Sequence, residues 1–177
     1  MQFDELISLR RSVRSYKGGE ITKEQIERIL LAAQAAPSWK NSETGRYFVA
    51  LSKEAVEAVY DALPDFNKRN TANASAYIVC AFEKGKAGFT PDGGFANVYG
   101  DEWGAYDLGC QNMMLMLKAR EEGIDTLVMG LRDEEKLRRY FGISDSYEVM
   151  PVIALGYRAV DPIAPVRKAF DEYVKIK

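Results

Sequence analysis

The sequence predicts an α/β or α+β fold: one sheet with helices packed on its faces. Three observations carry this. Segments of helical and strand periodicity alternate along the chain. One of them, AYIVCAF from Ala76 to Phe82, is apolar throughout, as a central strand covered on both sides must be. The 177 residues contain no repeat, linker or low-complexity stretch, so 1–177 reads as a single domain large enough to bury a core.

Each element has its own signal. In FDELISLR, Phe3, Leu6 and Ile7 stand at helical spacing. Thr22 to Ala35 is a stronger helix: Thr22 caps it, Gln25 completes a capping box, and Ile26, Ile29, Leu30 and Ala33 form one apolar stripe. Pro37 stops it. Arg46 to Leu51 reads as a strand, after which Ser52 caps a helix running to Leu63 with Val56, Val59 and Tyr60 inward. Beyond the Ala76–Phe82 strand, Glu83 to Gly104 is rich in Gly, Asp, Lys and aromatics and reads as a long, mobile loop of the kind that carries function.

Tyr106 to Glu122 is a helix that is apolar nearly all round, with Met113, Met114 and Met116 read as core. A fully covered helix in so small a chain implies a partner subunit. Gly123 ends it, and Asp125 to Met129 is a short strand. Asp133 caps a helix to Phe141 that Gly142 closes, and Glu148 to Tyr157 is the last strand. The tail from Arg158 is too polar to stand alone and can extend over a neighbour.

Composition excludes several functions. A net charge of −2 gives no basic excess, which disfavours nucleic-acid binding. There is no histidine, which removes histidine triads, histidine general bases and most zinc sites. Cys80 and Cys110 lie far apart in apolar runs and read as buried thiols. The N-terminus lacks a long apolar signal segment, and no run approaches the roughly 20 apolar residues of a membrane span. The expectation is a cytoplasmic protein with no membrane partner.

Four stretches carry candidate chemistry. RRSVR places Arg10, Arg11 and Arg14 beside Ser12, and guanidinium forks suit phosphate oxygens. A solvated basic helix end is the competing explanation. APSWKNSE offers the polar groups of Ser38 and Asn41 and the flat ring of Trp39, or is simply a helix-to-strand connection. RKAFDEYV brings Arg167 and Lys168 near the end of the chain. LVMGLRDEE ends a strand at Met129-Gly130, where glycine lets backbone approach a ligand, or turns into the next helix. There is no P-loop, no GxGxxG and no evident acid/base pair of carboxylates.

The order of these stretches resembles the nitroreductase superfamily of FMN flavoproteins. The resemblance rests on Arg10-Arg11-Ser12-Val13-Arg14, on Ala36-Pro37-Ser38-Trp39-Lys40-Asn41-Ser42, on Asp107 to Leu117 ahead of Gly123-Ile124-Asp125-Thr126, on the strand ending in Gly130 and on the late basic pair. It implies a three-layer α/β/α fold with a mixed, mostly antiparallel sheet. It implies a homodimer that buries long helices, exchanges C-terminal segments (about 158–177) and holds FMN at its interface. Arg10, Arg11, Ser12 and Arg14 would hold the FMN phosphate, ribityl chain and pyrimidine edge, with Arg167 and Lys168 completing the phosphate site. Pro37, Ser38, Trp39 and Asn41 would contact the flavin from the other subunit. Met129-Gly130 would lie near N5, and Asn67 is a further flavin contact.

The chain departs from the family pattern twice. Asn41-Ser42-Glu43-Thr44-Gly45 stands where Asn-Ser-Gln-Pro-Trp is common, and Gly156-Tyr157-Arg158 where Gly-Tyr-Pro is usual. Glu43 near the ring would thus alter flavin electronics or substrate choice, and Arg158 could compete with Arg167 for the phosphate. The implied activity is hydride transfer from NAD(P)H through FMN to an electron-poor acceptor such as a nitroaromatic or quinone, in a ping-pong cycle, with the flavin rather than a side chain carrying the chemistry. Lys84, Lys86, Phe89 and Phe95 would rim the acceptor site. Reductive dehalogenation, a flavin-modifying role and a non-catalytic FMN-binding redox module are the alternatives.

Overall fold

A computed structural model describes residues 2–177. Its elements are α1 (Phe3–Leu9), α2 (Lys23–Gln34), a 3-10 turn at Trp39–Asn41, β1 (Gly45–Ala50), α3 (Lys53–Asp61), α4 (Asp65–Asn70), β2 (Ala76–Glu83), α5 (Glu102–Glu121), β3 (Asp125–Met129), α6 (Glu134–Phe141), β4 (Tyr147–Gly156) and α7 (Phe170–Tyr173). The caps lie where the sequence puts them. Thr22 and Gln25 close a reciprocal box at 3.3 and 3.0 Å. Ser52 accepts from Ala55 N–H at 3.2 Å, and Asp133 from Lys136 N–H at 3.1 Å. Each such cap is worth about 1 kcal/mol.

The sheet order is β1-β2-β4-β3, and every pair of neighbouring strands is antiparallel. The parallel contribution is a single bridge from Ser12 to Thr126 on the outer edge of β3. Strand alternation then sorts side chains into two cores. Tyr77, Val79, Ala81, Val152 and Ala154 face one way and meet Ala55 and Val59 of α3 and Leu137 of α6. Ala76, Ile78, Cys80, Phe82, Ile153 and Leu155 face the other way and meet Ile26, Ile29 and Ala33 of α2 and Leu108, Leu115 and Ala119 of α5. The result is three layers. Pro151 sits in central β4 because Met150 and Pro151 together oppose Cys80, a bulge in which its missing N–H breaks no ladder bond.

Four sequence expectations need correction. α5 begins at Glu102, so the loop after β2 is shorter than read. The second is α4, which no periodicity announced. α5 is also not covered all round within the chain: Met113 and Met114 are 37% and 40% exposed, and Tyr106 65%, while Met116 packs on the core. The last strand runs Tyr147–Gly156 rather than Glu148 to Tyr157. Among the described residues no helix is long and apolar enough to cross a membrane.

Candidate flavin site

The arginine stretch begins where a helix ends: Arg10 caps α1, its N–H donating to Leu6 O at 3.0 Å. α1 stops at Leu9, and Arg10 already has extended backbone. The segment then runs along β3: Val13 N–H donates to Thr126 O at 3.0 Å, and Val13 and Tyr16 are buried. Burying these two apolar side chains turns the arginines outward. Arg10, Arg11, Ser12 and Arg14 line a cavity of about 280 Å³ whose opposite wall is Pro162, Ile163, Pro165 and Arg167. The chain's first and last basic stretches therefore meet, across more than 150 residues of sequence. Lys168 is not part of this wall.

Electrostatics define what the cavity can take. No carboxylate lines it. Among the described residues, no ion pair includes Arg10, Arg11, Arg14 or Arg167. Burial and the neighbouring charges of Arg11 and Arg167 push the Arg10 guanidinium below its usual pKa. Like charges gathered without counterions favour an anion bearing several oxygens, and a phosphate monoester fits that donor set.

Arg158 is not available to that anion. Its Nε donates to Asp125 Oδ2 at 2.8 Å and its Nη1 to Asp161 Oδ1 at 3.0 Å. Its Nη2 donates to Asp125 Oδ1 and, at 3.1 Å, to Leu9 O. The expected competition with Arg167 does not arise.

β3 leads from the arginine cavity to the second predicted group. Gly130 lies four residue steps beyond Thr126, about 13 Å of extended chain. Met129 is buried, while a Cβ added at Gly130 would meet nothing within 4 Å. The backbone there faces open space. Asn67 is buried on α4, and its Nδ2 donates to Leu131 O at 3.2 Å, which fixes its amide beside the same strand end. The edge of β3 thus carries the arginine cavity at one end and accessible backbone at the other.

The third group lies elsewhere in the chain. Trp39 N–H donates to Asp107 Oδ2 at 2.8 Å, and the Trp39 ring meets Trp103 edge-on at 4.8 Å. Asp107 is buried, and that burial pushes its carboxyl above the usual range. Lys40, Asn41 and Glu43 all take positive φ, of 46°, 55° and 45°. For Lys40 and Glu43 this is a strained backbone. Glu43 is drawn into the turn: its N–H donates to Ser38 Oγ at 3.0 Å, and its Oε1 accepts from Asn41 Nδ2 at 2.9 Å. Trp39 lines a separate cavity of about 500 Å³ with Lys40, Lys86 and Phe89. Phe95 packs on Phe89 at 5.2 Å, and Lys84 is not in this wall.

Comparison with known proteins decides the family. The profile of the Nitroreductase family matches residues 7–157. The chain belongs to the nitroreductase family.

That family membership makes the protein an oxidoreductase. Its relatives include a protein of Archaeoglobus fulgidus carrying the provisional name NADH dehydrogenase/NAD(P)H nitroreductase, 30% identical over 86% of this chain and 83% of its own. YdgI of Bacillus subtilis, provisionally an NAD(P)H nitroreductase, is 28% identical over 99% of this chain and 97% of its own. A solved nitroreductase of Exiguobacterium sibiricum in complex with FMN has a TM-score of 0.87 at 26% identity, over 100% of this chain and 98% of that one. The nitroreductase fold accounts for the three layers described above.

The sequence missed two parts of this site. Pro162, Ile163 and Pro165 wall the arginine cavity, yet alone they read only as tail. Asp107 had a signal: a carboxylate within an apolar helical run must find a donor or be expelled.

Proposed function

We propose that this nitroreductase-family chain is an FMN-dependent NAD(P)H oxidoreductase that works as a homodimer in the cytoplasm. The observation that carries this is the carboxylate-free cavity of Arg10, Arg11, Ser12, Arg14 and Arg167. Arginine forks there bind the FMN phosphate, and Ser12 adds a hydroxyl donor. The open backbone at Met129-Gly130 and the buried Asn67 amide take the ring end. When bound, FMN supplies the hydride chemistry at N5 between NAD(P)H and an electron-poor acceptor such as a nitroaromatic or quinone.

Pro37, Ser38, Trp39 and Asn41 complete the site from the partner subunit. Support comes from their place in the chain, where Trp39 lines a cavity separate from the arginines. It comes also from the open apolar face of α5 and from the tail, where Ile163, Val166 and Ile176 are 94%, 98% and 84% exposed. The cavity shared by Trp39, Lys86 and Phe89 supports an acceptor rim next to this flavin contact.

An absorbance spectrum of the purified protein, before and after addition of FMN and desalting, tests the reading. The expected outcome is a retained flavin spectrum that bleaches anaerobically with NAD(P)H. Failure to retain flavin after reconstitution would remove it.

A further inference from the structure

The two halves of the arginine cavity come from opposite ends of the chain, so something must set the distance between them. We propose that Arg158, clasped by Asp125, is the positioning residue that sets this spacing and thereby makes the site select a phosphorylated flavin over an unphosphorylated one. This rests on the FMN reading of the cavity.

The geometry is specific. Arg158 bonds to all three segments concerned. On β3 it holds Asp125, through Nε, Nη2 and its own backbone N–H. On the N-terminal side its Nη2 holds Leu9 O, the carbonyl just before Arg10. On the C-terminal side its Nη1 holds Asp161, the residue just before Pro162 of the cavity wall. Four of the five guanidinium N–H donors are thereby used, and Arg158 does not line the cavity. Asp125 is itself fixed: it is buried and also accepts from Arg120 Nη1 at 3.0 Å. Backbone bonds continue the link, since Ala159 N–H donates to Ser15 O at 2.9 Å and Lys17 N–H to Tyr157 O at 3.0 Å.

A planar fork can hold three partners in a fixed mutual arrangement, and a lysine cannot. Removing the fork frees the tail to move relative to Arg10–Arg14. The cations would remain, but no longer at one separation. A phosphate that needs both walls loses affinity. A ring that sits at Gly130 and Asn67 does not.

The test compares FMN with riboflavin, which lacks only the phosphate. Dissociation constants of both are measured by fluorescence titration of the apoprotein of wild type, Arg158→Lys and Arg158→Ala. Wild-type FMN binding tests the underlying reading by itself, and no binding of either flavin would sink both. Given binding, the proposal expects Arg158→Ala to lower the preference for FMN over riboflavin about tenfold, the size of one hydrogen bond to a charged group. Riboflavin affinity should stay within about threefold, with Arg158→Lys intermediate. A merely structural role would weaken both flavins in proportion, and that outcome, or an unchanged ratio, overturns the proposal. Should Arg158→Ala not fold, Asp161→Ala replaces it, because the Asp161 side chain is 91% exposed and its removal opens no core. A reduced FMN preference in that variant supports the spacing role, and an unaltered one ends it.

Discussion

β4 and the tail that follows it are adjacent in sequence and opposite in environment. Val152, Ile153, Ala154 and Leu155 are all fully buried. A few residues later, Val160, Ile163 and Val166 are 62%, 94% and 98% exposed, and Phe170, Tyr173 and Ile176 follow in the same state. Both segments carry apolar side chains that gain from cover, the tail among many charged ones. The strand finds it within the chain, from α2 and α5 on one face and α3 and α6 on the other. The tail finds little cover: Pro162 is half-buried, while Ile163 and Pro165 stay exposed where they wall the arginine cavity. An apolar segment that stays exposed is surface awaiting something, and a second copy presenting the open face of α5 would supply it.

The largest effect that separates the two regions comes from truncation in the strand. Leu155→Ala should cost about 2–5 kcal/mol, read from urea unfolding, because neither core layer can collapse into the gap. Ile176→Ala, at the exposed end of the tail, should leave unfolding of a dilute monomer unchanged. If it destabilises that monomer comparably, the contrast between the regions fails.

Next in size is the cavity that the tail closes. Arg14→Glu replaces the proposed phosphate donor with a repelling carboxylate, and should weaken FMN by about 1.5–3 kcal/mol, roughly ten- to a hundredfold. Equilibrium dialysis measures it. Undiminished affinity would detach Arg14 from the phosphate and return it to the solvated surface.

A smaller effect sharpens the account of the tail's proposed partner surface. Met114 is 40% exposed on the outer face of α5. Met114→Ala should raise the dimer dissociation constant about fivefold, on the order of 1 kcal/mol of lost apolar burial, with flavin released in parallel on dilution. Sedimentation velocity over a concentration series would detect it, and an unaltered monomer–dimer balance would leave α5 without its assigned neighbour.

These regions also differed in how far the sequence disclosed them. Strand alternation and caps are local, so Ala76–Phe82, Thr22, Ser52 and Asp133 were legible. The start of α5 was not, because Gly104 looks like a breaker. It is a close approach instead: a Cβ there would lie 2.4 Å from the Phe82 ring, so only glycine lets the helix settle on β2. α4 was hidden because DFNKRN contains one apolar residue and so shows no period. For the site, residue types disclosed the arginines, but nothing in RRSVR or GYR distinguishes a ligand-holding arginine from a paired one. Arg158 became distinguishable only when folding brought Asp125 to it across 33 residues.

The smallest effect concerns a pairing on the closed side of the molecule. Arg28 of α2 donates from Nε and Nη2 to Glu122, at 2.9 and 2.7 Å, tying α2 to the end of α5. This bond, with Lys118 nearby, depresses the Glu122 carboxyl from 4.5 to about 2. A depressed acid stabilises the fold above its unfolded pKa and ceases to do so as pH falls through its folded one. The contribution is therefore present at neutral pH and fades between about 4.5 and 2. Arg28 is half exposed, so solvent screening keeps it small. Glu122→Gln should lower the melting temperature slightly at pH 7, with the gap from wild type closing as pH approaches 2. A gap that persists at the acid end would mean that the pair acts by shape rather than charge. A gap that closes would place this link, like β4, among contacts the chain completes by itself.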